Sequence, residues 1–232
     1  MIPNPPQIPG TVVETLLGDV SIRFFVTNPL DAIQRHHYRG AFYEEEDLKL
    51  IADHVPAGSK ILDVGSNVGN HAVYFAKMLE AVEVIAIEPN PVAYAILRIN
   101  VALNDATAID LGHLGKAFGS RPTRGNIQTR FQNNLGLGVL HEDDLGSIEV
   151  VTGDSVVGLR DINFIKIDIE GFEMEALAGL SQTIHKNRPC IYIEVDQKND
   201  AAFIEWRTKN RYDVCQTIKR YAHNENYMLL PA

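Results

Sequence analysis

Apolar residues follow two rhythms along this chain. Residues 60–64, 82–87, 163–169 and 190–195 are short runs rich in apolar residues, and they predict buried strands. Residues 70–79, 91–103, 172–187 and 201–210 carry apolar residues at helical spacing and predict helices. Ala72, Val73, Phe75, Ala76 and Leu79 form the apolar face of the first, and Pro91 suits the first turn of the second. Strand and helix alternate, which is the grammar of a parallel sheet.

Outside these units the pattern changes. Residues 1–10 read as an irregular, proline-set lead-in. Residues 11–27 alternate around Gly18-Asp19 and predict a hairpin. Residues 32–42 are polar and aromatic, and 44–54 predict a helix that stops before Pro56. A strand is expected within 108–117, an inserted hairpin over 124–140 and a strand over 147–152. Residues 212–218 and 226–230 predict two closing strands around a turn at His223-Asn224-Glu225. The expected architecture is α/β and Rossmann-like: a seven-stranded, mostly parallel sheet with helices on both faces and an antiparallel C-terminal strand pair. Residues 1–55 would be a hairpin-and-helix extension packed on a core domain, 56–232, that carries an insertion near 120–146.

Composition narrows the function. The 232 residues carry 30 acidic and 21 basic side chains, a formal charge of −9. That balance disfavours a broad nucleic-acid surface, which needs clustered Lys and Arg, and it offers no polybasic membrane patch. No apolar run reaches the length of a membrane span and no signal peptide is visible, so a cytoplasmic protein is expected. Cys190 and Cys215 lie far apart in strand-like stretches and are expected to be reduced core thiols.

The candidate chemistry begins at residues 61–70, ILDVGSNVGN, where a strand turns into a helix. Gly65 permits a turn that a side chain would block, and Gly69 permits close approach. The helix N-terminus behind them presents free N–H groups. The spacing is G-x-N-x-G rather than GxGxxG, with Asp63 two positions before the first glycine. A carboxylate there serves a diphosphate poorly and an ammonium well. The methionine part of S-adenosylmethionine has an ammonium, and its sulfonium adds positive charge. Glu88 ends the next strand, where a Rossmann-type site places an acid for the ribose hydroxyls.

A second constellation is residues 164–171, FIKIDIEG. Lys166, Asp168 and Glu170 alternate with isoleucines, so they share one face or fan out at the strand's C-terminal end, where ligands of open α/β sheets bind. Burying three ionisable groups is costly unless they pair or serve a site. Glu194 repeats the theme on the following strand.

With these residues in place, the chain resembles the FkbM-type methyltransferases over roughly residues 40–200. The resemblance rests on Phe42-Tyr43-Glu44, ILDVGSNVGNH at 61–71, Ile87-Glu88-Pro89-Asn90, residues 100–104 and Gly153-Asp154-Ser155. Its most specific element is FIKIDIEGFEMEALAGL at 164–180, followed by Pro189 and Glu194. It implies methyl transfer from S-adenosylmethionine to a hydroxyl of a small molecule such as a sugar or polyketide. It implies cofactor contacts from Glu44, Asp63, Gly65, Ser66, Asn67, Gly69, Asn70, Glu88, Pro89, Asn104, Phe118 and Gly119. Asp168 and Glu170 are the candidate bases for the acceptor hydroxyl, with Lys166 holding them in place. His71 is a second-rank candidate.

A Mg²⁺ ion on Asp168, Glu170 and Glu194 is the less favoured arrangement, and no metal is expected. The expected partner is a hydroxyl-bearing small molecule, with no nucleic acid and no membrane, and the chain is expected as a monomer or homodimer. The competing readings are a nicotinamide-dependent (NAD) oxidoreductase, which the missing GxGxxG disfavours, and an inactive methyltransferase-like subunit, which the intact loop disfavours. Residues 105–150 fit the family least well, and acceptor contacts would vary there.

Overall fold

The computed structural model describes residues 8–129 and 135–232. Most of the proline-set lead-in, and the middle of the hairpin expected over 124–140, lie outside the described residues. The chain opens with a hairpin, β1 (Thr11–Leu17) and β2 (Val20–Val26), then a single turn α1 (Gln34–His37) and α2 (Glu45–Ala52). The alternating units follow: β3 (Lys60–Val64), α3 (Asn70–Lys77), β4 (Glu83–Ile87) and α4 (Pro91–Leu103). Short strands β5 (Ile109–Asp110), β6 (Lys116–Phe118), β7 (Thr123–Thr129), β8 (Gly138–Glu142) and β9 (Ile148–Val151) come next. The chain then runs through α5 (Gly153–Val157), β10 (Phe164–Ile167), α6 (Glu173–Gly179), α7 (Ser181–Asn187) and β11 (Cys190–Asp196). It closes with α8 (Asp200–Lys209), β12 (Tyr212–Ile218) and β13 (Asn224–Pro231).

The main sheet has seven strands in the order β12-β13-β11-β10-β3-β4-β5. All neighbours are parallel except β13, which is antiparallel to both β11 and β12. This is the expected Rossmann-like α/β fold. Alternation along each central strand feeds two cores. Ile61, Val84, Phe164 and Tyr192 pack with residues of α2, α3 and the hairpin on one face, while Leu62, Ile85, Ile165 and Ile193 pack with α5 to α8 on the other.

Three details differ from the sequence expectation. The strand placed within 108–117 is two pieces in different sheets: β5 joins the main sheet, and β6 joins a four-stranded sheet with β9, β7 and β8. The helix expected over 172–187 breaks at the buried Leu180. The Asp154 carboxylate accepts hydrogen bonds from Gln182 N, Thr183 N and Thr183 Oγ1, which caps a new helix start. Cys215 is not a core thiol: it is exposed, 3.3 Å from His54 Nε2, while Cys190 is half-buried.

The N-terminal hairpin is tied to α4 by two asparagines. Phe25 N donates to Asn100 Oδ1 at 2.7 Å. Arg23 N donates to Asn104 Oδ1 at 2.8 Å, and Asn104 Nδ2 donates to Arg23 O at 2.7 Å. Such side chains replace a missing neighbour strand for the edge of β2. Among the described residues, no helix is long and apolar enough to cross a membrane.

Candidate active site

A cavity of about 250 Å³ lies beyond the C-terminal ends of β3, β4, β10 and β11. This far exceeds the roughly 10–15 Å³ that one water needs, so the space suits a small-molecule ligand.

One half of it is built by the loop after β3. Gly65 has φ +83, and a Cβ there would run into the carbonyl oxygen of Asp168, so the loop can lie against the end of β10 only with glycine. The Glu88 carboxylate lies across this loop and is fixed by backbone: Asn67 N donates to Oε2 at 2.8 Å and Asn90 N to Oε1 at 2.7 Å. Burial raises the Glu88 pKa to about 7 against those two donors. Ser66, Asn67, Asn70, Pro89 and Phe118 border the same space.

Asp63 and Lys166 lie beneath. They are direct partners in the parallel ladder of β3 and β10, so their side chains share one face of the sheet. Lys166 Nζ donates to Gly65 O at 2.7 Å and lies 3.4 Å from Asp63 Oδ1 and 3.6 Å from Asp168 Oδ2. Burial works against the ammonium, but Asp63, Asp168 and Glu44 outweigh it and hold the Lys166 pKa above its ordinary value. Burial raises the Asp63 pKa, opposed by Lys166, its ion-pair partner at 3.4 Å under the loop.

The other half combines distant segments. Asp168 and Glu170 follow the end of β10, Glu194 lies in β11 two residues before its end, Tyr221 comes from the β12–β13 connection, Asn224 opens β13, and Tyr43 and Glu44 precede α2. Glu44 has φ 60 and ψ 46, and Glu170 has φ 51. Two left-handed glutamates on one cavity wall mark strain held by tertiary contacts. Glu44 is held by Arg220 Nη1 at 2.7 Å, and Arg220 also pairs with buried Asp47, which accepts from Tyr192 Oη. Burial, then Asp168 and Asp47, raise the Glu44 pKa to about 7. Carboxylate oxygens of Asp168, Glu170 and Glu194 all lie within 4.8 Å of one another. Burial, then Asp168, Glu170 and Glu44, push Glu194 up to about 10. His71 borders the cavity, 3.8 Å from Glu44 Oε2, and burial with Lys166 and Arg220 nearby keeps it neutral.

Of the residues singled out in the sequence, Glu44, Gly65, Ser66, Asn67, Asn70, Glu88, Pro89, Phe118, Lys166, Asp168 and Glu170 border this one cavity. Four others do not border it. Asp63 lies below Lys166. Gly69 packs on Leu97, and Gly119 on Val150 and the backbone of Gly179. Asn104 is the hairpin tie already described, away from the cavity. Asn70 does double duty, since its amide also clamps Tyr43 N at 2.8 Å and Tyr43 O at 3.0 Å. Arg220, Asp47 and Tyr221 carried no sequence signal, and Asn224 was marked only as part of a turn. Lys166, Asp168 and Glu170 fan out: the strand ends at Ile167, leaving Lys166 on the sheet face and the two acids beyond it.

Comparison with known proteins fits this geometry. A profile of the methyltransferase FkbM domain matches residues 63–218. The hexuronic acid methyltransferase AglP of Haloferax volcanii is 26% identical over 183 residues, covering 75% of this chain and 72% of that protein. The crystal structure of methyltransferase FkbM from Methylobacillus flagellatus superposes with a TM-score of 0.51 at 21% identity, covering 74% of this chain and 43% of that one. The tRNA (uracil-54, C5)-methyltransferase of Pyrococcus abyssi, in complex with S-adenosyl-L-homocysteine, superposes with a TM-score of 0.52 at 18% identity, covering 94% of this chain and 44% of that one. The chain thus spans less than half the length of either solved protein, and at these identities the superpositions establish the fold alone.

Proposed function

The chain belongs to the FkbM methyltransferase family, and from that premise we propose that it transfers a methyl group from S-adenosylmethionine to a hydroxyl oxygen of a small molecule. The observation that carries this reading is Glu88. Two backbone N–H groups fix its carboxylate at the end of β4, and the side chain borders the cavity. The outer lone pairs of a carboxylate so held suit a vicinal diol such as the ribose of a nucleoside.

The rest of the loop half fits the same cofactor. Phe118 offers an apolar wall for an adenine, and the N-terminus of α3, which starts at Asn70 on the cavity, suits a carboxylate. When bound, the cofactor supplies an electrophilic methyl on a sulfonium. The chain's own residues would then hold the acceptor in line and take its proton.

Asp168 is the base of choice. It borders the cavity just past the end of β10, and Lys166 Nζ at 3.6 Å holds its carboxylate in place. Glu194 is a poor base because its raised pKa keeps it protonated near neutral pH. A sugar hydroxyl is the favoured acceptor class, supported by the relative described as a hexuronic acid methyltransferase.

Calorimetry with S-adenosylhomocysteine tests the cofactor assignment. Wild type is expected to bind, and Glu88→Ala and Asp63→Ala to lose binding. Undiminished affinity in both variants would sink it.

A further inference from the structure

Arg220 does not border the cavity, yet it holds a residue that does. It lies in the connection between β12 and β13, and its guanidinium meets two carboxylates of the α2 region. Nη1 lies 2.7 Å from Glu44 Oε1, and Nη2 donates to Asp47 Oδ2. Asp47 is fully buried and also accepts from Tyr192 Oη of β11 and from Asn226 Nδ2 of β13, the latter at 3.2 Å. The main sheet thus sets Asp47, Asp47 sets the guanidinium, and the guanidinium sets Glu44. A planar guanidinium suits this task because its donors diverge in a fixed fork.

Glu44 needs such a hold. Its backbone, at φ 60 and ψ 46, is in a conformation that residues other than glycine rarely adopt. It also stands where the two halves of the cavity meet. Tyr43 before it is clamped by Asn70, the first residue of α3, and Glu44 Oε2 lies 3.8 Å from Nε2 of His71, the second. A carboxylate offers about four lone-pair sites, so the contact with Arg220 leaves others for a ligand in the cavity that Glu44 borders.

We propose that Arg220 is a positioning residue for cofactor binding: acting through Glu44, it fixes that carboxylate at the cavity wall so that it can accept a hydrogen bond from the bound cofactor. The inference rests on the methyltransferase reading above. The competing role is a clamp that acts through Asp47 alone and serves only the fold. The two differ in what happens once Glu44 can no longer be held as a carboxylate.

The test is calorimetry with S-adenosylhomocysteine on the full chain as wild type, Arg220→Gln, Glu44→Gln and the double variant. Each single substitution is expected to weaken binding about ten-fold, and the double variant to match Glu44→Gln within about two-fold. Losses that multiply in the double variant would overturn the inference, as would unchanged affinity in Arg220→Gln. A second readout is pH. Removing Arg220 takes away a charge that favours ionised Glu44, while Asp47 on α2, His71 on α3, Lys166 on β10 and Asp168 beyond it remain. Glu44 then ionises at higher pH, so the Arg220→Gln loss is expected to be larger near pH 6 than near pH 9; a loss equal at both would point to the clamp and overturn the inference. Arg220→Gln also leaves buried Asp47 without its cation. If that variant shows no cooperative melt, the same four-way comparison is made in an Asp47→Asn background, with the same outcomes deciding. Wild-type binding is measured first: its absence defeats the methyltransferase reading, whereas its presence with independent losses defeats only this inference.

Discussion

The two halves of the cavity treat their carboxylates in opposite ways. In the loop half each acid faces a donor or a cation: Glu88 receives two backbone N–H groups, and Asp63 lies 3.4 Å from Lys166. In the acceptor half Asp168, Glu170 and Glu194 crowd one another, and Glu194 is forced toward its protonated form. The first arrangement comes from neighbouring strand–loop–helix units, whose ladder register sets each partner. The second comes from the C-terminal ends of β10 and β11 meeting the β12–β13 connection. On the proposed function, the first half would hold the cofactor and the second would meet the acceptor.

The sharpest way to separate the halves is Asp168→Asn. It is expected to lower turnover by about 10²- to 10⁴-fold while leaving S-adenosylhomocysteine affinity near wild type in calorimetry. Equal loss of both would merge the halves into one unit. Lys166→Met attacks the seam between them. It leaves Asp63 buried without its cation and is expected to destabilise the fold by about 3–5 kcal/mol in urea denaturation. A loss under 1 kcal/mol would mean that the pair carries little.

Asn104→Ala is the control outside both halves. Loss of its bonds to Arg23 is expected to cost about 1–3 kcal/mol of stability and to leave cofactor affinity unchanged. A marked loss of affinity instead would return Asn104 to the cofactor site.

The smallest expected effect is a slope. A carboxyl whose folded pKa is raised contributes stability that is full below its unfolded value and is lost as pH rises through its folded value. Glu44 and Glu88, both near 7, therefore cost stability between about pH 4.5 and 7, and Glu194, near 10, extends the loss beyond that. Between pH 7 and 9 the melting temperature of the unliganded chain is expected to keep falling in wild type and to flatten in Glu194→Gln. Parallel curves would show that Glu194 is not held protonated.

The loop half was legible because its information is local. Asp63, Gly65 and Glu88 sit at fixed offsets from strands that apolar runs announce, and Gly65 alone tolerates the approach of the Asp168 carbonyl. The FIKIDIEG segment marked its acids without saying how they would be arranged. Asn104 was misplaced for the opposite reason: an asparagine at a helix end has many uses, and here the edge of β2 claimed it.

What the sequence determined by itself was the order of strands and helices, the position of the turn and the acids at the strand ends. These follow from periodicity and backbone sterics, which act over a few residues. The tertiary structure decided which acids face one another, that Arg220 reaches across 173 positions to Asp47, and that Glu44 is held in a left-handed conformation. Those outcomes depend on sheet order and on burial. A carboxyl beside water and the same carboxyl in a closed cavity are different acids, and no stretch of the chain shows which it will be until the segments that bury it have come together.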